Sequence, residues 1–527
     1  MSYSVQNPIL RGFHPDPCII CVKGTYYIAN STFEYYPGVK ISASEDLANW
    51  RTVAYPLKGL RLLDMRGDVA STGIWAPALS YADGRFWLIF TNQRQWLDGH
   101  LKDTENYLTT CETIDGEWST PVRLNGSGFD PSLFHDDDGR KYLLNMRWDY
   151  RPDDDGGRFS GILLQEYDPK QEKLIGKPRV IFRGTERGIT EGPHLFKRGS
   201  YYYLLTAEGG TGLPHCATLA RSTSIEGPYE LHPNKHILSA WNTPCLLQKA
   251  GHASLCEGRD GRWILAHLCG RPLPNGRCVL GRETALQNIE WAEDGWPYLS
   301  GGGSAPADSF EAFAPAAPRV TERVYRSTGA PLDIDWMTLR QPLGEDVLDQ
   351  VSRPGWLRIR GQKSLLALQD QSVLLRRQEA FAIECETMLE FSPECFNHWA
   401  GLLYRYSENN LHYVYISYDE EKACRELLKI TYDDSRFSLE RIASLPNRGA
   451  VWLRLCVDHA DGRFCYSTDG EHFEPAGNSF DASKLSDEYN RPLGFTGAYV
   501  GIGCQDLSDG EKTADFHYFR YTETENT

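Results

Sequence analysis

The sequence predicts an all-β protein, a five-bladed β-propeller followed by a β-sandwich domain, and three observations lead there. A glycine-plus-aromatic hairpin signature recurs five times before residue 300. A second motif precedes each copy at a nearly constant distance. Beyond a glycine-rich tract the repeat stops and short alternating strands take over. The composition agrees, with 28 Tyr, 14 Trp, 48 Gly and 29 Pro against 5 Met, as strand-and-turn architectures have it.

The signature reads GTYYIA at Gly24, GRFWLI at Gly84, GRKYLL at Gly139, GSYYYLL at Gly199 and GRWILA at Gly261, spaced by 60, 55, 60 and 62 residues. Each copy is a turn leading into an apolar strand. Seven to nine residues upstream stand the matching strand starts DPCI at Asp16, APAL at Ala76, DPSL at Asp130, GPHL at Gly192 and HASL at His252. Five such units predict five blades. The first strand of a blade lies nearest the propeller axis, so equivalent positions of the five units converge. Asp16, Asp130 and His252 share one repeat position, and Glu191 lies one residue before it. Three carboxylates and a histidine are therefore expected at one end of the channel. An isolated Asp-Pro is only a turn, and the shared register is what raises Asp16 above that reading.

The propeller is expected to close near Trp291 to Trp296, and SGGGSAPA at 300–307 reads as a linker. It lacks the Lys-Ser/Thr and the helix that a phosphate loop needs. Segments such as HYVYISYD and VWLRLCVD predict a sandwich. The expected boundaries are 1–305 for the propeller, 306–319 for a linker and 320–527 for the sandwich.

Of 527 residues, 55 are Lys or Arg and 71 Asp or Glu, a net charge of −16 without a basic patch, so no nucleic-acid partner is expected. No apolar run approaches membrane-spanning length, and no membrane partner is expected. The start MSYSVQNPILRGF shows no secretory signal, and the 14 Cys follow no metal or disulfide spacing, so reduced thiols and a cytoplasmic location are expected. Cys18 and Cys21, an odd separation apart on a strand, point to opposite faces. The sequons at Asn30 and Asn125 adjoin segments assigned to the site. The acidic runs at 136–138 and 153–155 complete no calcium loop and read as solvated turns.

Carboxylates in a neutral, aromatic-rich pocket suit glycosidic cleavage, in which an acid protonates the leaving oxygen and a base activates water or a nucleophile attacks carbon. Phe33, Trp75 and Trp148 are candidates for stacking on sugar faces, and Trp75 stands one residue before the aligned position of the second unit.

The ordered set NPILRGFHPDPCI, NSTFEYYPGVKI, GIWAPALSYADGRFWLIFT, NGSGFDPSLFHDDDGRKYL, TEGPHLF, GHASL, LGRETALQNIEW and GFTGAYVG resembles the β-xylosidases of glycoside hydrolase family 43 across nearly the whole chain. The resemblance implies Asp16 as general base, Glu191 as general acid, Asp130 as the carboxylate that tunes the acid and orients the sugar, and Arg282, Phe33 and Trp75 as sugar contacts. It implies inversion in one displacement, with base and acid roughly 6.5–9.5 Å apart. No cofactor is required, although His252 matches a histidine that in relatives holds a hydrated cation, and a calcium ion near it is a candidate. Tyr499, in GFTGAYVG, is expected on a sandwich loop that closes the pocket, in place of the Phe common in relatives. Cys18 stands where Ser is common, and between GRPLP and LGRETA only NGRCV intervenes where many relatives carry more.

The expected activity is that of an exo-acting β-D-xylosidase on short xylo-oligosaccharides, in a homo-oligomer. The alternatives are an α-L-arabinofuranosidase or dual enzyme and, in another class, a non-catalytic carbohydrate-binding protein.

Overall fold

The computed structural model describes residues 2–95, 100–151 and 158–524, so the acidic run at 153–155 lies outside the described residues. Among them the chain forms two compact units. Unit 1 comprises residues 1–63, 72–271 and 282–317, and unit 2 comprises residues 64–71, 272–281 and 318–527.

Unit 1 contains five four-stranded antiparallel sheets in chain order. Their first strands are Cys18–Val22, Gly73–Ala82, Ser132–His135, Glu191–Arg198 and Gln248–Glu257. Each packs against the next and the fifth returns to the first, which makes a closed five-bladed ring. The hairpins follow from their turn residues. Lys23-Gly24 and Asp83-Gly84 both have positive φ, the mirror-image turn whose twist matches that of paired strands.

The positions aligned by the repeat share one backbone conformation. Asp16, Ala76, Asp130, Gly192 and His252 have φ of 51°, 36°, 55°, 56° and 42°. A left-handed residue at a strand start makes a bulge that re-aims the neighbouring side chains. Strand register indeed shifts at Trp75/Ala78, Glu191/His194 and Gly251/Ala253.

Two residues beyond this position a small polar side chain rivets adjacent blades. Ser254 Oγ donates to Pro17 O (2.9 Å) and accepts from Ile19 N (2.8 Å). Ser132 Oγ donates to Pro193 O (2.6 Å). Cys18 does the same work with sulfur, its thiol reaching Leu79 O at 3.5 Å and accepting from Leu79 N at 3.3 Å. The departure from Ser at residue 18 is thus a like-for-like replacement in geometry, with longer bonds.

The first and fifth blades share a core of Ile19, Tyr26 and Ile28 with Ile264, Ala266 and Leu286, covered by Val5, Leu10 and Phe310. Strand Tyr3–Gln6 pairs with Ser309–Ala312. Asn7 seals the seam by donating to Leu286 O (2.8 Å) and accepting from Leu286 N (3.0 Å). The glycine-rich tract is tied into this unit: Ser239 N donates to Ser304 O (2.7 Å) and Ala307 N to Gln287 Oε1 (3.0 Å). In the acidic turn at 136–138, Asp136 is not solvated. It is buried and accepts from Lys197 Nζ (3.2 Å) and Tyr202 OH (2.9 Å) of the next blade.

In unit 2 a six-stranded sheet and a larger sheet enclose one core, with Leu374, Leu402, Tyr404 and Val414 meeting Ile383, Leu389, Leu453 and Phe516. Segments 64–71 and 272–281 join this unit through polar contacts, buried at Arg340 and partly exposed at Asn275 and Arg277. Arg340 donates from Nε to Asp68 O and pairs with Glu408 (2.8 Å), which also takes Arg405 (3.2 Å). The short 272–281 loop is held by Asn275 on Ser483 (2.9 Å), Arg277 on Asp481 (3.1 Å) and Ala498 N on Val279 O (2.9 Å).

Removing a rivet should strand a buried donor. Ser254→Ala leaves Ile19 N–H unpaired and is expected to cost about 1–3 kcal/mol, whereas Cys18→Ser keeps both partners and should leave stability unchanged or raised. Thermal unfolding of the two variants checks this, and equal losses would show that the thiol and the hydroxyl are not equivalent.

Candidate active site

Asp16 sits at the left-handed position before the first inner strand and is buried. Arg282, at the start of strand Glu283–Trp291, donates from Nη1 to Asp16 Oδ1 at 2.6 Å. Ser31 Oγ donates to the other oxygen at 2.6 Å and itself accepts from Ala76 N (2.8 Å). His252 Nδ1 lies 4.0 Å from Asp16 Oδ1. Asp130 occupies the matching position of blade 3, where its Oδ2 accepts from Gly192 N (3.1 Å) and its own N–H donates to Thr91 Oγ1 (3.2 Å). Glu191, adjacent to Gly192, is buried beside it.

This geometry divides the protons. Burial works to raise the pKa of Asp16, but Arg282, His252 and the Ser31 hydroxyl outweigh it and hold the carboxyl below its usual range. Burial also lowers His252, so Arg282 is the lasting positive charge. Among the described residues Glu191 has no such ion-pair partner. Burial, then the Asp130 and Asp16 charges, push it well above the carboxylate range, against a weaker pull from Arg282. Asp130 rises to about 8, by burial first and the Asp16 charge second, opposed by Gly192 N–H and Arg282. Asp16 is thus the carboxyl biased toward ionisation and Glu191 the one biased toward keeping its proton.

Aromatic rings run beside the carboxylates. Phe33 lies 5.5 Å from Phe13 and 5.9 Å from Trp75, Trp75 meets Phe129 edge-on at 5.4 Å, and Phe129 reaches Trp148 at 6.2 Å. The Arg282 guanidinium stands 5.3 Å from the Phe33 centroid. Apolar ring faces beside paired carboxylates suit the C–H faces of a sugar.

Unit 1 therefore brings Asp16, Asp130, Glu191, Arg282, His252, Phe33 and Trp75 together. Tyr499 differs from its expected placement. It opens strand Tyr499–Asp506 instead of lying in a loop, is fully buried, and pairs with Arg377 and Arg405. Alternation turns Val500 and Ile502 to the sandwich core and Tyr499 to the opposite face. The loop before it carries Phe495 as its own aromatic. The sequence reading missed Ser31, although it stands in NSTFEYYPG, and it missed His215 and His194. Burial holds both of these imidazoles neutral, with pKa values lowered to about 3. No repeat position announces His215, which sits where a side chain on Gly251 would collide with its ring. Asn30 is buried and donates to Pro15 O (2.8 Å) and Thr284 Oγ1 (3.1 Å), leaving no room for a glycan.

Among the described residues, two sets of ligating side chains come within reach of a common ion, Glu208/Cys216/His236 and His398/Asp506/Asp509. In the first, Glu208 is already saturated, accepting from Thr185 N and Oγ1, Thr190 Oγ1 and Thr218 Oγ1 at 2.6–2.9 Å. In the second, His398 Nδ1 accepts from Glu394 N (3.1 Å), so the neutral ring carries its proton on Nε2, beside Ser508 and Asp506. His252 belongs to neither set. Calcium takes six to eight oxygens. The groups near His252 are imidazoles and an Asp16 carboxylate already engaged, which do not form a direct calcium cage.

A propeller that gathers buried carboxyls biased in opposite directions, with aromatic rings near them, has the constellation of a glycoside hydrolase. The model of glycosyl hydrolases family 43 matches residues 5–297, and that of the beta xylosidase C-terminal concanavalin A-like domain matches 328–522. The chain belongs to glycosyl hydrolases family 43. It is 46% identical to a beta-xylosidase of Bacillus subtilis, covering 98% of this chain and 99% of that one. It is 45% identical to xylosidase/arabinosidase 43B of Humicola insolens, over 98% and 97% of the two chains. The crystal structure of a xylan beta-1,4-xylosidase from Bacillus halodurans superposes with a TM-score of 0.94 at 46% identity, covering 98% and 100%.

The divided protons set a pH dependence. With Asp16 as the base and Glu191 as the acid that the resemblance implies, kcat/KM should fall at acid pH along a limb below the usual carboxylate range and at alkaline pH along one above it. Arg282→Gln removes the charge that lowers Asp16, so its acid limb should move to higher pH. A pH–rate profile with an unmoved acid limb would assign that limb to another group.

Proposed function

We propose that the protein is an exo-acting, inverting β-D-xylosidase that releases xylose from the non-reducing ends of xylo-oligosaccharides. The observation that carries this reading is the buried cluster of Asp16, held by Arg282 at 2.6 Å, with Asp130 and Glu191, in a chain that matches a β-xylosidase along nearly its full length. In the reaction Asp16 takes a proton from water as its oxygen attacks the anomeric carbon. Glu191 gives its proton to the departing glycosidic oxygen as that bond breaks. The product is xylose of opposite anomeric configuration and a shortened alcohol, and proton exchange with solvent resets both carboxyls. Asp130 raises the proton affinity of Glu191 and, with Arg282, Phe33 and Trp75, orients the sugar. Calcium at His252 would have to reach the ring through water, and the mechanism routes no step through it.

A second reading, combined arabinofuranosidase activity, is favoured by the likeness to the Humicola xylosidase/arabinosidase. Relative rates on nitrophenyl xyloside and nitrophenyl arabinofuranoside measure it. A non-catalytic sugar-binding role gives no reason for an acid and a base held in opposite protonation states.

Hydrolysis of xylobiose followed by NMR should show α-xylose appearing first from the β-linked substrate, and β-xylose as first product would overturn the single displacement. Asp16→Ala should lose activity by several orders of magnitude on every substrate, since nothing else activates water. Glu191→Ala should lose far less on a nitrophenyl glycoside than on xylobiose, because nitrophenolate departs without a proton. Equal losses on both substrates would remove Glu191 from the acid role.

A further inference from the structure

Arg282 is the first of three consecutive residues that all grip the segment leading to Asp16. The Arg282 carbonyl accepts from His14 N (2.8 Å) while its side chain reaches Asp16. Thr284 Oγ1 donates to His14 O (2.6 Å) and accepts from Asn30, which also holds Pro15 O. Between them Glu283, fully buried, accepts from Gly12 N at 2.9 Å through Oε1. Arg271, at the end of the preceding strand, grips the same carboxylate with two parallel bonds, Nε to Oε2 at 2.6 Å and Nη2 to Oε1 at 2.9 Å. Strand pairing places Cys269 opposite Glu283, so this fork spans the neck of the 272–281 loop.

Gly12 explains why the carboxylate matters. With φ of 74° it turns the chain between Leu10, paired with Thr284, and the Asp16 turn. Its N–H is buried and has Glu283 as acceptor. One buried anion therefore joins the backbone that carries the base to the strand that carries its cation. A buried carboxylate is stable there only because the Arg271 fork neutralises it, and a bidentate fork fixes orientation as well as charge.

We propose that Glu283, clamped by Arg271, is a positioning residue that sets the Asp16 turn against the Arg282 backbone and so keeps the Arg282 guanidinium on the base. It is fully buried, with its carboxylate bonded to Gly12 and Arg271. Loosening it by a fraction of the 2.6 Å contact between Arg282 and Asp16 weakens the interaction that keeps Asp16 ionised. The inference rests on the reading of Asp16 as general base, and its test separates the two.

Glu283→Gln keeps the shape and an acceptor for Gly12 N but loses the charge facing Arg271. Glu283→Asp keeps the charge on a shorter arm and serves if the first variant unfolds. For each variant, unfolding temperature, the pH profile of kcat and KM on nitrophenyl xyloside, and the titration of the Asp16 carboxyl by carbon NMR are measured, the resonance being assigned with Asp16→Asn. The expected result is a kcat lowered roughly 10- to 100-fold with KM nearly unchanged, and an acid limb and an Asp16 titration both displaced to higher pH. In an Arg282→Gln background the added Glu283 substitution should displace neither further, because the two act through one contact. A lowered unfolding temperature with the limb and the Asp16 titration unmoved would reduce Glu283 to a structural ion pair and overturn the proposal. A displaced Asp16 titration beside an unmoved limb upholds the positioning role and instead removes Asp16 as the base.

Discussion

The buried contact between Arg282 and Asp16 is the interaction on which the site depends. Three carboxyls gathered in a water-poor channel cannot all ionise, because burial and mutual repulsion each favour the neutral form. A single guanidinium at 2.6 Å breaks the symmetry. It selects Asp16 as the anion, and that anion in turn helps keep the proton on Glu191. One charge placed on one oxygen thereby biases side chains of the same kind in opposite directions.

The backbone prepares this arrangement. Each inner strand has a left-handed residue just before it or within its first half, a conformation costing of the order of 1–3 kcal/mol where the residue is not glycine. That cost recurs in four of the five blades, at Asp16, Ala76, Asp130 and His252, with Gly192 taking the fifth place. The bulge aims side chains at the channel, and the riveting hydroxyls of Ser132 and Ser254, with the thiol of Cys18, hold neighbouring blades in register just behind it. In three of the blades the strained position is thus followed, two residues on, by a hydrogen bond to the neighbouring blade. The same conformation at Ala76, which bears no functional group, shows that the turn belongs to the blade repeat and that chemistry was placed upon it.

The buried polar groups outside the site show the contrasting use of charge. Glu208 is surrounded by hydroxyl and amide donors and Glu408 by two arginines, so each is satisfied and static. Glu191 receives no comparable set of donors, and burial acts on it with little opposition. The difference between a structural and a reactive carboxylate in this fold lies in what is withheld from it.

Much of this was legible in the sequence, because hairpin turns, strand alternation and the spacing of repeats are local properties. The Gly-aromatic motif marked the blades, and the common register of Asp16, Asp130 and His252, with Glu191 beside it, brought the carboxylates together before any contact was known. Residues 494–498 of the glycine-rich GFTGAYVG lie outside any strand, as its composition suggests, whereas Tyr499 already pairs with two strands distant in sequence and starts a strand. By itself the sequence determined the five-unit architecture, the family and the residues that meet at the axis. Only the tertiary structure decided which contacts bias Asp16 toward the anion, those of Arg282 and Ser31. Ser31, Arg282 and Glu283 act through contacts that span up to 271 positions of chain, and the energy of a charge in a channel depends on its neighbours in space, which no local pattern encodes.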